Sequence, residues 1–220
     1  MKRLPADQSH RPLSILHCEE SFVVVDKLAD FLSVPGREPQ SQDCVTARVR
    51  ALFPHAEGFL AAHRLDMATS GLMVLGLTPS AYKNLSLQFE KRQVDKTYTA
   101  LLAGQVEANS GHIELPFRVD WPNRPKQIHD PEHGKLGITD WRVIERYPHA
   151  TRVEFNPFTG RTHQLRVHAA HALGIGHPII GDELYGDPTL ADRLMLHSTT
   201  LAFHHPERGE RISFHLPAPF

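Results

Sequence analysis

The sequence predicts an α+β fold, built on a mixed, largely antiparallel sheet flanked by helices and loops. Three observations lead there. Short β-branched and aromatic runs are many, helical patterns number only two or three, and most links between neighbouring runs look like hairpin turns.

The elements follow in chain order. Met1 to Leu13 is polar and punctuated by proline, and reads as a flexible arm. Ser14 to Lys27 gives two short strands joined at Cys18-Glu19-Glu20-Ser21, the second carrying the apolar run Phe22 to Val25. Val45 to Leu52 is a short helix that must stop before Pro54. His63 to Ser70 is polar and turn-like, and Gly71 to Leu77 is an apolar strand. Thr78 then fits an N-cap with Pro79 at the first helical position. The helix that follows aligns Tyr82, Leu85 and Phe89 and ends near Gln93. Thr97 to Leu102 is a strand, while two prolines keep Asp120 to Gln127 out of any central strand. Ile138 to Tyr147 and Thr151 to Asn156 form a strand pair about Pro148-His149. Thr162 to Leu173 reads as a helix with Gly174 placed to end it. Leu194 to His204 and Arg211 to Leu216 close the chain as a hairpin across Pro206 to Gly209.

Composition narrows the function classes. With 40% hydrophobic and 22% charged residues the 220-residue chain is an ordinary globular protein. Its net charge of -1 means that an anionic partner must meet a local basic patch, although the 16 histidines add positive charge below neutral pH. Cys18 and Cys44 share no metal-ligand spacing and read as reduced, structural thiols. No apolar signal core opens the chain and no run is long enough to span a bilayer, so a cytoplasmic address and no membrane partner are expected. No Walker, Rossmann or zinc-site pattern occurs, so no cofactor and no metal are expected. The rival is a metal hydrolase using His163, His168, His171 and His177, but no HExxH pattern supports it.

Three segments concentrate chemistry. His63 to Gly71 packs an imidazole, a guanidinium, the Asp66 carboxylate and two hydroxyls into one turn before a buried strand. A rigid strand can aim such a carboxylate, but an Asx-turn would explain it as well. In Thr159 to His168, Arg161 and Arg166 straddle an expected helix start, so one could hold a phosphate and the other a buried carboxylate; a solvated basic helix end is the alternative. In Lys96-Thr97-Tyr98, period-two alternation sets Tyr98 opposite Thr97 and Thr99. There it could pack in a core, stack on a base or move a proton.

Together these segments resemble the RluA family of pseudouridine synthases. The family pattern HRLDxxTSGL stands at His63 to Leu72, its K-x-Y strand at Lys96 to Tyr98, and its GR-x-HQLR-x-H segment at Gly160 to His168. Gly176 to Asp182 and Leu194 to His197 are similar to further landmarks, and the resemblance runs from about Ser14 to the C-terminus. Leu32 to Arg37 and Asp120 to Gln127 look like the member that modifies 23S rRNA and the anticodon stem-loop of certain tRNAs.

The resemblance implies a pseudouridine synthase fold over residues 14–220 as one catalytic domain, with no S4-type domain, acting as a cofactor-free isomerase on RNA. A monomer is expected, with 23S rRNA, tRNA or both as partners. It also implies residue roles. Asp66 starts cleavage of the glycosidic bond, by attack on ribose C1′ or base C6 or by taking a ribose proton. Arg166 pairs with Asp66 and aims it, Tyr98 lies against the uracil as stack or base, and Arg64 takes space near the extruded nucleotide. Leu196 is expected to line the pocket. Arg161, Arg124 and Lys126 are expected to meet phosphates, with Trp121 stacking beside them; Trp121 could equally pin its loop to the body. A non-catalytic RNA-binding module is the other rival, though it gives Asp66, Tyr98 and Arg166 no joint purpose.

Overall fold

The computed structural model describes residues 11–220, so most of the expected N-terminal arm lies outside the described residues. Two compact units emerge. One contains the described residues up to Lys96 together with His197–Pro219, and the other contains Thr97–Leu196 and Phe220.

In the first unit, β1 (Ser14–Cys18) pairs antiparallel with β2 (Phe22–Lys27), and β2 pairs antiparallel with β3 (Ser70–Gly76). The register sets Val24 opposite Val74 and Lys27 opposite Gly71. β3 runs parallel to β9 (Leu196–His204), with Ser70 opposite His197, and β10 (Arg211–His215) returns antiparallel against β9. This parallel pairing makes the sheet mixed.

The run Phe22 to Val25 is continuous rather than alternating because both faces of its strand are covered. Val23, Val25, Met73 and Leu75 pack with Val45 and Val49 of α1 (Val45–Leu52). Phe22, Val24, Leu72 and Val74 pack with Leu85 of α2 (Pro79–Glu90), together with Leu201 and Phe203. Cys44 caps α1 through its sulfur, accepting from Ala47 N–H at 3.4 Å. Thr78 caps α2 as expected, its hydroxyl accepting from Ala81 N–H at 3.2 Å. The buried face of α2 differs from the expected one: Ala81, Leu85 and Gln88 are inside, while Tyr82 and Phe89 are only half-buried. Gln88 is tolerated there because it donates to His204 C=O at 2.7 Å and accepts from His204 N–H at 2.8 Å.

The second unit is an antiparallel sheet built around two hairpins. Its strand order is β4 (Asp95–Ala103), β8 (Ala150–Pro157), β7 (Lys135–Tyr147), β5 (Ser110–Val119) and β6 (Gln127–His129). The expected β7–β8 hairpin is present, and β7 begins three residues earlier than its pattern indicated. β5 and β6 were not read from the sequence, and Pro116 lies inside β5. The helix expected over Thr162 to Leu173 is shorter: α3 spans Gln164–Ala170. His163 before it holds a left-handed conformation (φ 58°), and His171 after it is extended, so neither end can continue the helix. Gly174 does not terminate α3. It lies beneath the helix end, where a Cβ would collide with the His168 carbonyl.

Candidate active site

Asp66 stands in a turn whose backbone is gripped on both sides. The turn is closed by the Asp66 carbonyl, which accepts from Thr69 N–H at 3.1 Å, rather than by its side chain as an Asx-turn would be. On the N-terminal side, the Ser33 hydroxyl accepts from Leu65 N–H at 3.1 Å and donates to Leu65 C=O at 2.7 Å. On the C-terminal side, Met67 C=O accepts from Lys27 Nζ at 3.0 Å and from Phe31 N–H at 3.2 Å. The fully buried Lys27 also donates to Leu28 C=O and Phe31 C=O, at 2.8 and 2.6 Å. These contacts tie the loop after β2 to the residues flanking Asp66. The carboxylate itself is half-buried.

Beyond the turn, the chain is anchored to the sheet. Ser70 Oγ and His197 Nδ1 are 2.7 Å apart, and Gly71 (φ 108°) approaches Ser198 so closely that a Cβ would strike its backbone. Before the turn, His63 Nε2 accepts from Val74 N–H at 3.1 Å, and its ring stacks on Phe89 at 4.3 Å. Burial, and then the nearby Lys96 charge, push the His63 pKa down to about 3, which keeps the ring neutral and able to accept. Arg64 points outward and is exposed.

In the second unit, Tyr98 is half-buried in β4, opposite Phe155 of β8. Arg166 is 3% exposed, so it is no solvated helix end. Its Nε and Nη2 donate to Asp182 Oδ2 and Oδ1, at 2.8 and 2.6 Å, as a two-pronged buried pair. Asp182 Oδ1 in turn accepts from Leu184 N–H and Tyr185 N–H, at 2.9 and 3.1 Å. Gln164 holds the preceding loop: its amide nitrogen donates to Ile138 C=O and Thr139 Oγ1, and its oxygen accepts from Thr159 Oγ1 and Arg161 N–H. Arg161 is exposed, and Leu196 is buried at the start of β9.

The loop over residues 120–126 is closed at its base by Asp120 N–H donating to Lys126 C=O at 2.8 Å. Trp121 is 63% exposed, so it does not pin the loop to the body, and the Arg124 guanidinium lies 4.8 Å from its ring centre. Lys126 Nζ is 5.9 Å from the ring centre of Tyr185.

Among the described residues, no three His, Cys, Asp or Glu side chains gather as metal ligands. The four histidines of the metal-hydrolase reading have separate surroundings. His163 Nδ1 is 2.9 Å from Tyr185 Oη, and His177 Nδ1 is 2.7 Å from the Ala103 carbonyl. His171 lies against His129, with ring centres 5.1 Å apart. His168 is fully buried edge-on to Phe117, and burial lowers its pKa to about 4. No helix among the described residues is long and apolar enough to cross a membrane.

Sequence reasoning missed Lys27, Ser33, Asp182 and Tyr185. Ser33 and Asp182 lay inside stretches already noted as family-like, so the signal was present without a role attached. Nothing in the spacing marked Lys27 or Tyr185.

Known proteins provide an independent comparison. Residues 21–171 match the family model described as RNA pseudouridylate synthase. The chain is 45% identical over 210 residues to the dual-specificity RNA pseudouridine synthase RluA of Yersinia pestis, covering 94% of this chain and 99% of that one. It is 44% identical over 212 residues to the corresponding protein of Pasteurella multocida, covering 94% of each. Among solved structures it is similar to human RNA pseudouridylate synthase domain containing 1, with a TM-score of 0.76 and 31% identity over 94% of this chain and 84% of that one.

Proposed function

Because the chain belongs to the RNA pseudouridylate synthase family and is thus an isomerase making pseudouridine in RNA, we propose that Asp66 is its catalytic carboxylate. The observation that carries this reading is the double grip on Leu65 and Met67, which presents one carboxylate from a turn whose backbone has little freedom. Asp66 opens the reaction at the bond between uracil N1 and ribose C1′. The freed uracil turns, C5 bonds to C1′, the proton on C5 leaves and N1 takes up one. Atoms balance with no donor group and no redox change.

Tyr98 and Arg166 serve the same uridine in this proposal, Tyr98 against the base and as the group that takes the C5 proton. Arg166 supplies the cation that aims Asp66; its clasp by Asp182 supports a fixed guanidinium. Leu196 lines the base pocket and Arg64 fills space beside the extruded nucleotide. Trp121, Arg124, Lys126 and Arg161 hold the RNA, with exposed Trp121 as a stacking surface and the cations on phosphates. Extruding a base costs about a few kcal/mol, least in a loop where stacking is already weak. The substrates are therefore hairpin loops; the dual specificity named for the relatives supports two kinds of them, and the motif resemblance in the sequence makes 23S rRNA and the tRNA anticodon stem-loop the proposed pair.

The test is Asp66→Asn. Pseudouridine formation disappears, while RNA affinity measured by filter binding stays within about threefold. Mapping pseudouridine in total RNA from a deletion strain, restored with the wild-type or Asp66→Asn gene, then identifies the sites. Product formation by the mutant at the wild-type rate would overturn the assignment.

A further inference from the structure

Tyr185 lies where the exposed loop and the buried arginine meet. Its hydroxyl accepts from Gln127 N–H at 2.7 Å, immediately after the 120–126 loop closes. The same oxygen sits 2.9 Å from His163 Nδ1, at the left-handed residue that opens α3. Its ring faces two cations, with Arg166 Cζ at 5.3 Å and Lys126 Nζ at 5.9 Å from the centre. Its own N–H donates to Asp182 Oδ1, the oxygen that receives Arg166 Nη2. One half-buried side chain thus joins the loop base, the start of α3 and the Arg166–Asp182 pair.

We propose that Tyr185 is a positioning residue that couples RNA engagement by the 120–127 loop to the placement of Arg166. Neither of its two attachments suffices alone. The Oη bond to Gln127 gives loop movement a direct route into the phenol, and the ring held over the guanidinium passes that movement on. RNA gripping Arg124 and Lys126 draws the loop into one position, and Tyr185 then sets the arginine for the reaction. The chemistry recognised is that of an RNA phosphate backbone, as opposed to a base sequence. This inference rests on the reading of Arg166 and the loop given above.

The experiment is a double-mutant cycle on the full chain, with single-turnover rates at saturating hairpin RNA. Its corners are wild type, Tyr185→Phe, the loop variant Arg124→Ala/Lys126→Ala, and all three changes together. Tyr185→Phe keeps the ring and removes the hydroxyl bonds, so the rate falls about tenfold, the scale of one lost hydrogen bond. In the loop variant the hydroxyl has no RNA grip to transmit, and the same change lowers the rate less than twofold. Additive effects across the cycle would overturn the coupling, as would a wild-type rate for Tyr185→Phe. A purely structural role would lower the melting temperature while leaving the rate per folded molecule unchanged, and that result also overturns it. Arg166→Lys and the loop variant test the underlying reading separately. If both react at the wild-type rate, that reading fails; if both are impaired while Tyr185 effects are additive, only the coupling fails.

Discussion

Replacing Ser33 with alanine tests whether the frame around Asp66 sets its position. The substitution deletes a hydroxyl that satisfies both backbone groups of Leu65, at 3.1 and 2.7 Å, in a place where Ser33 is 4% and Leu65 5% exposed. Water has little access to repair either loss. A buried backbone group left unpaired costs about 1–3 kcal/mol, and partial relaxation of two brings the total to roughly 2–4 kcal/mol. At about 2–4 °C per kcal/mol for a chain of this size, the melting temperature drops by roughly 4–16 °C. The rate should suffer beyond that. Met67 keeps its bonds from Lys27 and Phe31, so Asp66 is loosened on one side only. A misplacement of about 1 Å can cost on the order of a hundredfold, so a fall of roughly tenfold to a hundredfold is expected. The assay is single-turnover release of tritium from uracil C5 of a hairpin RNA, run well below the variant's melting temperature. Ser33→Thr, which keeps the hydroxyl, should recover most of the rate. A normal rate constant in Ser33→Ala, at any melting temperature, would refute the claim that this grip aims Asp66.

Two further outcomes follow from buried groups in each unit. Asp182→Asn removes the negative partner from a guanidinium that is 3% exposed, which destabilises the fold by about 3–5 kcal/mol and abolishes most activity; a thermal melt and the tritium assay check both. Stability should also fall as pH drops below about 6.5, because His63 and His168 are held at about 3 and 4 by burial. The sign follows from proton counting. Between roughly pH 6.5 and 4 the unfolded chain binds protons on these two rings that the folded chain refuses, so acid favours unfolding. Urea midpoints measured from pH 7 to pH 5, above most carboxylate titration, should decline, and His168→Leu should flatten the decline. Exposed His112 acts in the opposite direction, since Asp140 and Glu114 raise its pKa, so a midpoint that rises through this interval would show that the buried rings do not dominate.

Much of the frame was legible because it depends on local chemistry. The Thr78-Pro79 start of α2, the limits of α1 and the two-faced burial of β2 and β3 follow from capping, proline geometry and unbroken apolar runs. β5 escaped because Pro116 lies within it and argues against a strand, although Ile113, Leu115 and Phe117 alternate with their neighbours as a half-buried strand does. The length of α3 escaped because helical spacing around Arg166 continues past both ends. What stops the helix is the left-handed backbone at His163 and the extended backbone at His171, neither of which has a compositional mark. Asp182 pairs with Arg166 sixteen positions away in the chain, a contact that only the folded path of the 171–182 segment creates.

The motif segments also divide labour in a way that letters alone do not reveal. In the stretch from Thr159 to His168, Thr159 and Gln164 satisfy one another and the β7 backbone, and His168 fills an apolar gap beside Phe117 and Gly137. Only Arg166 in that buried set holds a permanent charge, and it has a buried carboxylate of its own. The same division holds around Asp66, where His63 is kept neutral to receive a backbone N–H and Ser70 is set beside His197. Most of the motif is therefore frame. A substitution such as Gln164→Leu would leave Thr159 Oγ1, Arg161 N–H and Ile138 C=O each short of a partner, and so disturb the approach to Arg166 without touching a reacting atom. It follows that loss of activity on mutating a motif residue cannot by itself identify a catalyst here. The discriminating variants keep the frame and change one reactive group, as Asp66→Asn does.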